Sequence, residues 1–195
     1  MPGSGLASLF GAEDCMKKII ALVYALLLSS NVWAVDGISV EYGQTDYSGG
    51  DVNMARLGAQ WDWKKPLVTK GNWLLTGYWE VSAGSWNGQN RGGKDYNTAD
   101  IGFTPVFRLQ QKNFSWAAPY VEAGIGVHML SNTHITADRE FSTAFQFGDH
   151  LGAGLRFGDK HRFDLGYRFQ HLSNGSIKHP NPGINFSQIR LAYHF

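Results

Sequence analysis

The sequence predicts an all-β fold, an eight-stranded antiparallel transmembrane β-barrel. Three observations predict it. Beyond Ala34, apolar and polar residues alternate with a period of two in successive segments, as they do in strands with one lipid-facing and one interior face. The polar positions carry charges of both signs. The chain also ends on an alternating strand with a terminal Phe195, which resembles the sorting signal of bacterial outer-membrane barrels.

The alternation defines eight segments, each bounded by clusters of Gly, Asn, Asp and Lys that favour turns. In the second segment, for example, Leu57 and Trp61 alternate with Arg56 and Gln60. No apolar stretch after Ala34 is long enough to form a transmembrane helix. The predicted strands span residues 36–46, 52–63, 72–84, 98–109, 117–129, 143–157, 162–173 and 185–195.

The charges on the polar parity favour a barrel over a soluble β-sandwich, which remains the alternative because its strands alternate too. Inside a small barrel such charges form ion pairs, while an apolar parity with aromatic residues near the strand ends faces lipid. A sandwich would leave that apolar face against water. The charges predicted inside are Glu41, Arg56, Asp62, Glu80, Asp100, Arg108, Glu122, Arg156, Asp164, Arg168 and Arg190.

The N-terminal region has the pattern of a Sec signal peptide. Lys17 and Lys18 precede an apolar run over 19–28, and Val-Trp-Ala ending at Ala34 suits signal peptidase. The run is too short to span a bilayer as a permanent helix. The predicted division is an upstream extension outside the mature protein at 1–15, the signal peptide at 16–34 and the outer-membrane barrel at 35–195.

The composition of the predicted mature chain excludes several kinds of chemistry. The only cysteine of the sequence, Cys15, lies in the upstream extension, so disulfides and thiolate catalysis are not expected in the mature chain. A net charge of +1 gives no reason to expect nucleic acid as a partner.

With both termini in the periplasm, the predicted outer loops are 85–97, 130–142 and 174–184.

The stretch 169–186 contains the residues that suggest chemistry. Continuing the outward parity of the seventh strand through Phe169 places His171 and Ser173 on the lipid-facing side. Placing two polar side chains without hydrogen-bond partners against acyl chains costs up to several kcal/mol. Selection for stability alone would therefore not place them there. Two residues apart on one face, the imidazole lies within reach of the hydroxyl, as a base activating a serine requires. The alternative is that both side chains merely mark the membrane interface.

These residues resemble the signature of the PagL family of outer-membrane lipid A 3-O-deacylases. The match is carried by His171, Ser173, Asn174, Pro180, Asn181, Gly183 and Asn185. The resemblance implies a barrel with a His-Ser pair on its outer surface that cleaves the ester-linked acyl chain at the 3-position of lipid A. It implies Ser173 as nucleophile and His171 as general base, with Asn174 and Gly175 at the oxyanion site.

Asn185 departs from the family pattern, because at least one member uses a glutamate at this spacing. It lies on the outward parity at the outer end of the eighth strand, where we expect it across the hairpin from Ser173. An asparagine can accept a hydrogen bond from Nδ1–H and so orient a histidine, although it stabilises an imidazolium less than a carboxylate does. We therefore predict that Asn185 is the third catalytic residue.

No cofactor or metal is predicted, because no histidine cluster has metal-ligand spacing. His128, His150 and His194 fall on the inward parity. The expected partners are the lipid A substrate (lipopolysaccharide) and outer-membrane lipids, and a homodimer is compatible with this interpretation. Two other functions remain open: an outer-membrane phospholipase, whose family has a larger barrel and uses calcium, and a non-enzymatic barrel of the OmpA or OmpX kind.

Overall fold

The computed structural model describes residues 34–45, 51–89, 95–112 and 116–195. The predicted upstream extension and nearly all of the predicted signal peptide lie outside these residues. Three short strands, Val68–Lys70, His134–Thr136 and Arg139–Glu140, lie in the connections. The eight long strands are β1 (Gly37–Gln44), β2 (Val52–Asp62), β3 (Trp73–Gln89), β4 (Asp95–Gln111), β5 (Ala117–Leu130), β6 (Phe145–Phe157), β7 (Phe163–Ser173) and β8 (Ile184–His194).

The eight strands form a closed antiparallel barrel. Each strand pairs with its neighbour in the chain, and β1 also pairs with β8, so that the ring has no open edge. Closure satisfies the backbone hydrogen bonds of every strand, as a hydrocarbon environment requires. The predicted fold is confirmed. Within the described residues, no helix is long and apolar enough to cross a membrane.

The inward and outward parities match the sequence pattern. Along β7, buried and exposed residues alternate from Phe163 onward, and the exposed ones are aromatic or aliphatic. We call the end of the barrel at which β7 ends and β8 begins the outer end, since it is the end expected to face outside the cell. The outward residues form the apolar band that contacts lipid.

The β3–β4 hairpin is longer than predicted. Pairing continues to Gln89 and Asp95, so most of the predicted loop 85–97 is strand. Apolar alternation does not reveal this extension because its outward positions are small or polar, as at Ser85 and Asn87. Buried inward residues still alternate with more exposed outward ones in this extension, and Trp86 is fully buried. Residues 90–94 lie outside the described part of the chain.

The interior holds the predicted network of ion pairs. Arg168 lies at its centre, donating from Nη1 to Glu41 at 2.6 Å and from Nε to Glu122 at 2.7 Å. Two predicted members behave differently: Asp62 is exposed at the end of β2, and Arg156 donates to the backbone carbonyl of His161. The confirmed members are Glu41, Arg56, Glu80, Asp100, Arg108, Glu122, Asp164, Arg168 and Arg190.

Replacing Arg168 with methionine is expected to lower the free energy of unfolding by about 3–5 kcal/mol, since it leaves buried carboxylates without their shared partner. Arg168 also donates to Glu80 and to the hydroxyl of Tyr78. The denaturant midpoint for loss of heat-modifiable gel migration measures the change. The exposed Lys64, changed to methionine, serves as control. Equal midpoints for both variants would contradict a central role for Arg168.

An apolar cluster fills the outer end of the barrel interior. Leu172 of β7 and Phe186 of β8 are fully buried in it, and the Trp86 and Phe186 rings pack edge to face at 5.0 Å. Ile135 and Phe141 enter from the connection between β5 and β6. That connection therefore packs over the barrel mouth and against the outer ends of β7 and β8. The full cluster is Val52, Met54, Trp86, Leu130, Ile135, Phe141, Leu172, Ile184 and Phe186.

Candidate active site

His171 and Ser173 lie on the outward face at the outer end of β7. Between them Leu172 points inward and is 0% exposed, which fixes the direction of its two neighbours. Both candidate side chains are half-buried. They follow Phe169 at the end of the lipid-facing stripe of β7. A base and a hydroxyl thus lie where lipid meets the polar outer loops.

Asn185 of β8 orients the imidazole of His171. Nδ1 of His171 lies 2.6 Å from Oδ1 of Asn185. A carboxamide oxygen only accepts hydrogen bonds, so Nδ1 carries the proton in this tautomer. Nε2 is then left with its lone pair, which is the form that a general base needs.

The expectation that Asn185 lies directly across from Ser173 is wrong by two residues along the same face of β7. The register pairs His171 with Asn185 directly. Parity fixes which face a residue occupies, but the pairing partner depends on the geometry of the connecting loop. The observed register brings Asn185 to the residue that it has to orient.

The structure does not join the imidazole of His171 to the hydroxyl of Ser173. No hydrogen bond between them occurs among the described contacts, and the strand partner of Ser173 on β6 is Phe147. Two strand positions separate Cα atoms by about 6.5–7 Å, a distance that side-chain rotation can bridge. Catalytic hydrogen bonds are often long before substrate binds and shorten in the substrate complex.

Asn174 has no donor to offer an oxyanion in this structure. Its backbone N–H donates to Oδ1 of Asn181 at 3.0 Å, and its Nδ2 donates to Ser142 Oγ and to the carbonyl of Lys178. All three of its N–H groups are therefore used, and the residue is 0% exposed. The oxyanion role expected for Asn174 does not fit this geometry. Asn174 instead organises the turn that follows the serine.

Gly175 is the better placed of the two residues expected at the oxyanion site. It is exposed and has a φ of 63°, a conformation that favours glycine. Its backbone N–H has no partner among the described hydrogen bonds. The turn therefore presents an available N–H two residues after Ser173.

Gly183 packs directly against the imidazole. It has a φ of 59°, and a Cβ atom placed on it would lie 2.8 Å from Cε1 of His171. Arg139 holds this turn by donating from Nη1 to the Gly183 carbonyl, and the backbone N–H of Ser142 donates to Pro180 O. The β5–β6 connection thus supports the loop that positions His171. Sequence parity gave no signal for Arg139 or Ser142, since both lie outside the long strands.

Sequence reasoning also missed Asp149, although a signal for it was present. Asp149 lies on the outward parity of β6, between Phe147 and Leu151, and is exposed. The register pairs it with His171. A carboxylate on an otherwise apolar parity is visible in the sequence alone.

The histidines expected to face inward do so. His128, His150 and His194 are all buried, and Nδ1 of His128 lies 2.8 Å from a carboxylate oxygen of Asp100. They belong to the interior and lie apart from the outward site. Within the described residues, no group of three or more His, Cys, Asp or Glu side chains is arranged to hold a metal ion.

Fold and site together define an outer-membrane β-barrel with a histidine, an asparagine and a serine grouped on its lipid-facing surface. The profile of the lipid A 3-O-deacylase (PagL) family matches residues 53–194. This chain therefore belongs to the PagL family.

Individual relatives agree with this assignment. The lipid A deacylase PagL of Pseudomonas aeruginosa is 35% identical over 173 residues, which cover 87% of this chain and 94% of the relative. That of Bordetella bronchiseptica is 45% identical over 76 residues, 39% of this chain and 41% of the relative. A crystal structure of the outer-membrane enzyme PagL superposes with a TM-score of 0.70 at 31% identity, covering 82% of this chain and 99% of that chain.

Proposed function

We propose that this protein is a lipid A 3-O-deacylase that works as a serine esterase in the outer leaflet of the outer membrane. Membership of the PagL family supports the substrate and the reaction. One observation supports the serine mechanism: the imidazole of His171, oriented by Asn185 at 2.6 Å, lies on the same lipid-facing surface as Ser173.

The reaction proceeds by two acyl transfers. Ser173 Oγ attacks the ester carbonyl while Nε2 of His171 takes the hydroxyl proton, and the N–H of Gly175 donates to the oxyanion that develops. Collapse of the tetrahedral intermediate breaks the ester bond, and the departing sugar oxygen receives the proton from the imidazolium. Water, deprotonated by His171, then attacks the acyl-enzyme. The bond between the acyl carbon and Ser173 Oγ breaks, Oγ takes the proton back from the imidazolium, and the fatty acid is released.

The position of the site on the lipid-facing surface matches the location of the substrate. Lipid A esters lie just below the headgroups of the outer leaflet, so the substrate arrives by diffusion within the membrane plane. Phe169, Phe147 and Leu151 are exposed apolar side chains on the barrel wall beside the site. They provide the surface along which the acyl chain lies.

Expression in a bacterial outer membrane, followed by mass spectrometry of lipid A and phospholipids, tests the proposal. Loss of one 3-hydroxyacyl group from lipid A is the expected result. Lysophospholipid with unchanged lipid A would instead indicate a phospholipase. If neither lipid changes, both in intact membranes and after detergent solubilisation, the enzymatic function is wrong and a non-enzymatic barrel remains.

Asn185→Ala is expected to lower kcat by about 100-fold, because the imidazole loses the acceptor that fixes its tautomer and orientation. Initial rates on purified lipid A in detergent micelles measure the effect. Asn97→Ala is the matched control, since Asn97 is an outward asparagine hydrogen-bonded by Asn87 on another part of the barrel. Full activity in Asn185→Ala would remove Asn185 from the catalytic group.

A further inference from the structure

The inner end of the barrel, opposite the outer end, carries a group of lysines. Two connections meet there, the one between β2 and β3 and the one between β4 and β5, and the backbone N–H of Lys112 donates to the carbonyl of Asn72 at 2.8 Å. Neither connection contains an aspartate or glutamate, and Asp62, just before the first of them, lies on the inward parity. The exposed lysines of the two connections are Lys64, Lys65, Lys70 and Lys112.

None of these four ammonium groups is neutralised within the part of the chain that the structure describes. No hydrogen bond or ion pair to any of the four side chains occurs there. Lysines in solvent are ordinary on such connections, but these four lie next to an exposed apolar surface. Leu67, Val68, Trp73 and Trp116 are each about half exposed or more. Concentrated positive charge beside apolar surface is the pattern of a protein that meets an anionic lipid headgroup.

A groove on the lipid-facing surface begins beside these lysines. The short strand Val68–Lys70 pairs with the start of β3, and β3 pairs with the end of β4. The register places Val68 opposite Leu75, and Leu75 opposite Leu109, so that one apolar row crosses the three segments. The groove over this row is open and has a volume of about 710 Å³. It has the apolar floor that an acyl chain requires.

Lys70 lies at the inner end of this groove. It pairs with Trp73, whose side chain faces outward and is 49% exposed. Two strand positions separate this pair from the Val68–Leu75 pair, a distance of about 6.5–7 Å. Exposed tryptophans near the ends of lipid-facing strands lie at the level of the headgroups. The groove therefore leads from the hydrocarbon to the headgroup layer, and its cation lies at the headgroup end.

An anionic glycerophospholipid matches this arrangement of charge and apolar surface. Its phosphodiester carries a negative charge and accepts hydrogen bonds from ammonium groups, while its acyl chain covers the apolar row. A zwitterionic phospholipid matches less well, because its own ammonium group offsets the phosphate and would lie among the lysines. Lipid A lies in the outer leaflet, at the other end of the barrel, so the ligand of this groove differs from the proposed substrate.

We propose that the groove beside Lys70 binds an anionic glycerophospholipid of the inner leaflet. Lys70 and the neighbouring Lys112 hold the phosphate, and one acyl chain lies over the apolar row. The groove is built from β3 and β4, whereas the candidate active site is built from β7 and β8. The barrel thus binds lipids of both leaflets at separate places, and this inference does not depend on the proposed catalytic mechanism.

Native mass spectrometry of the purified barrel in detergent, titrated with lipids, tests the proposal. Dioleoyl phosphatidylglycerol is expected to bind at least about fivefold more tightly than dioleoyl phosphatidylethanolamine, which has the same acyl chains but a zwitterionic headgroup. Lys70→Gln is expected to lower the affinity for phosphatidylglycerol about fivefold, the scale of one lysine close to an anionic headgroup. Lys160→Gln is the matched control: Lys160 is an exposed lysine at the same end, in the β6–β7 connection, and its loss is expected to have no effect.

Two further measurements separate charge, lipid and folding. Lys70→Arg keeps the charge and is expected to stay within about twofold of the unaltered protein. Glycerol 3-phosphate, which has the phosphate without acyl chains, is expected not to displace the lipid at equal concentration, and displacement would indicate a simple phosphate site and overturn the lipid assignment. Equal affinities for the two phospholipids, or equal losses in Lys70→Gln and Lys160→Gln, would also overturn it. Heat-modifiable migration verifies the barrel in each variant.

Discussion

Replacing Ser173 with alanine is expected to abolish deacylation, lowering kcat by at least about 1,000-fold. The hydroxyl is the only group proposed to form the acyl-enzyme. His171→Asn is expected to have an equally large effect, because it removes the base. Release of fatty acid from purified lipid A, followed by mass spectrometry, measures both. The losses are not expected to add in the double variant, since the two residues act as a unit.

Folding controls make this result interpretable. Both side chains are half-buried on the outward surface, while the ion pairs and apolar cluster inside the barrel are untouched. Heat-modifiable gel migration is therefore expected to remain. Ser187→Ala is the matched control: Ser187 faces outward on β8, accepts a hydrogen bond from Tyr167, and has no assigned part in the reaction. Activity of Ser173→Ala equal to that of Ser187→Ala would rule out the serine mechanism.

Gly183→Ala is expected to lower kcat by about 100-fold, through misplacement of the imidazole. The added Cβ would lie 2.8 Å from Cε1 of His171 and 3.4 Å from Nε2. His171 must then move away from Asn185 or from Ser173, or the turn held by Arg139 must shift. Either movement disturbs the geometry on which proton transfer depends. Initial rates over a range of lipid A concentrations separate the loss in kcat from any change in KM.

Gly71→Ala is the control for the backbone effect of this substitution. Gly71 has a φ of 58°, almost equal to that of Gly183, but its added Cβ would meet nothing within 4 Å. It lies in the turn before β3, away from the outer end. We expect Gly71→Ala to cause similar backbone strain but to keep full activity. If both glycine variants lose activity equally, contact with His171 is not the cause.

The fold was predictable because lipid imposes a simple rule on each strand. A side chain on the outward parity meets hydrocarbon and one on the inward parity meets other side chains, so alternation reports both strand and face. The rule fails where the outward face leaves the hydrocarbon. This is why the extension of β3 past Ser85, with its small and polar outward residues, went unrecognised.

The face of the barrel that carries the candidate site was also predictable, and for the same reason. Parity placed His171, Ser173 and Asn185 on one face, but it could not supply the register that pairs His171 with Asn185. The use of all three Asn174 donors depends on how two loops fold against each other, which no periodicity encodes. Asp149 needed only the parity rule together with attention to a charge on the apolar face.

The filled interior has a consequence for the cell. Arginines and carboxylates occupy the middle of the barrel, and Trp86, Phe141 and Phe186 close its outer end. In the part of the barrel that the structure describes, this filling offers nutrients, ions and antibiotics no aqueous passage, in contrast to the large porins. A bacterium can therefore produce this protein abundantly to remodel its surface without compromising the permeability barrier of the membrane that holds it.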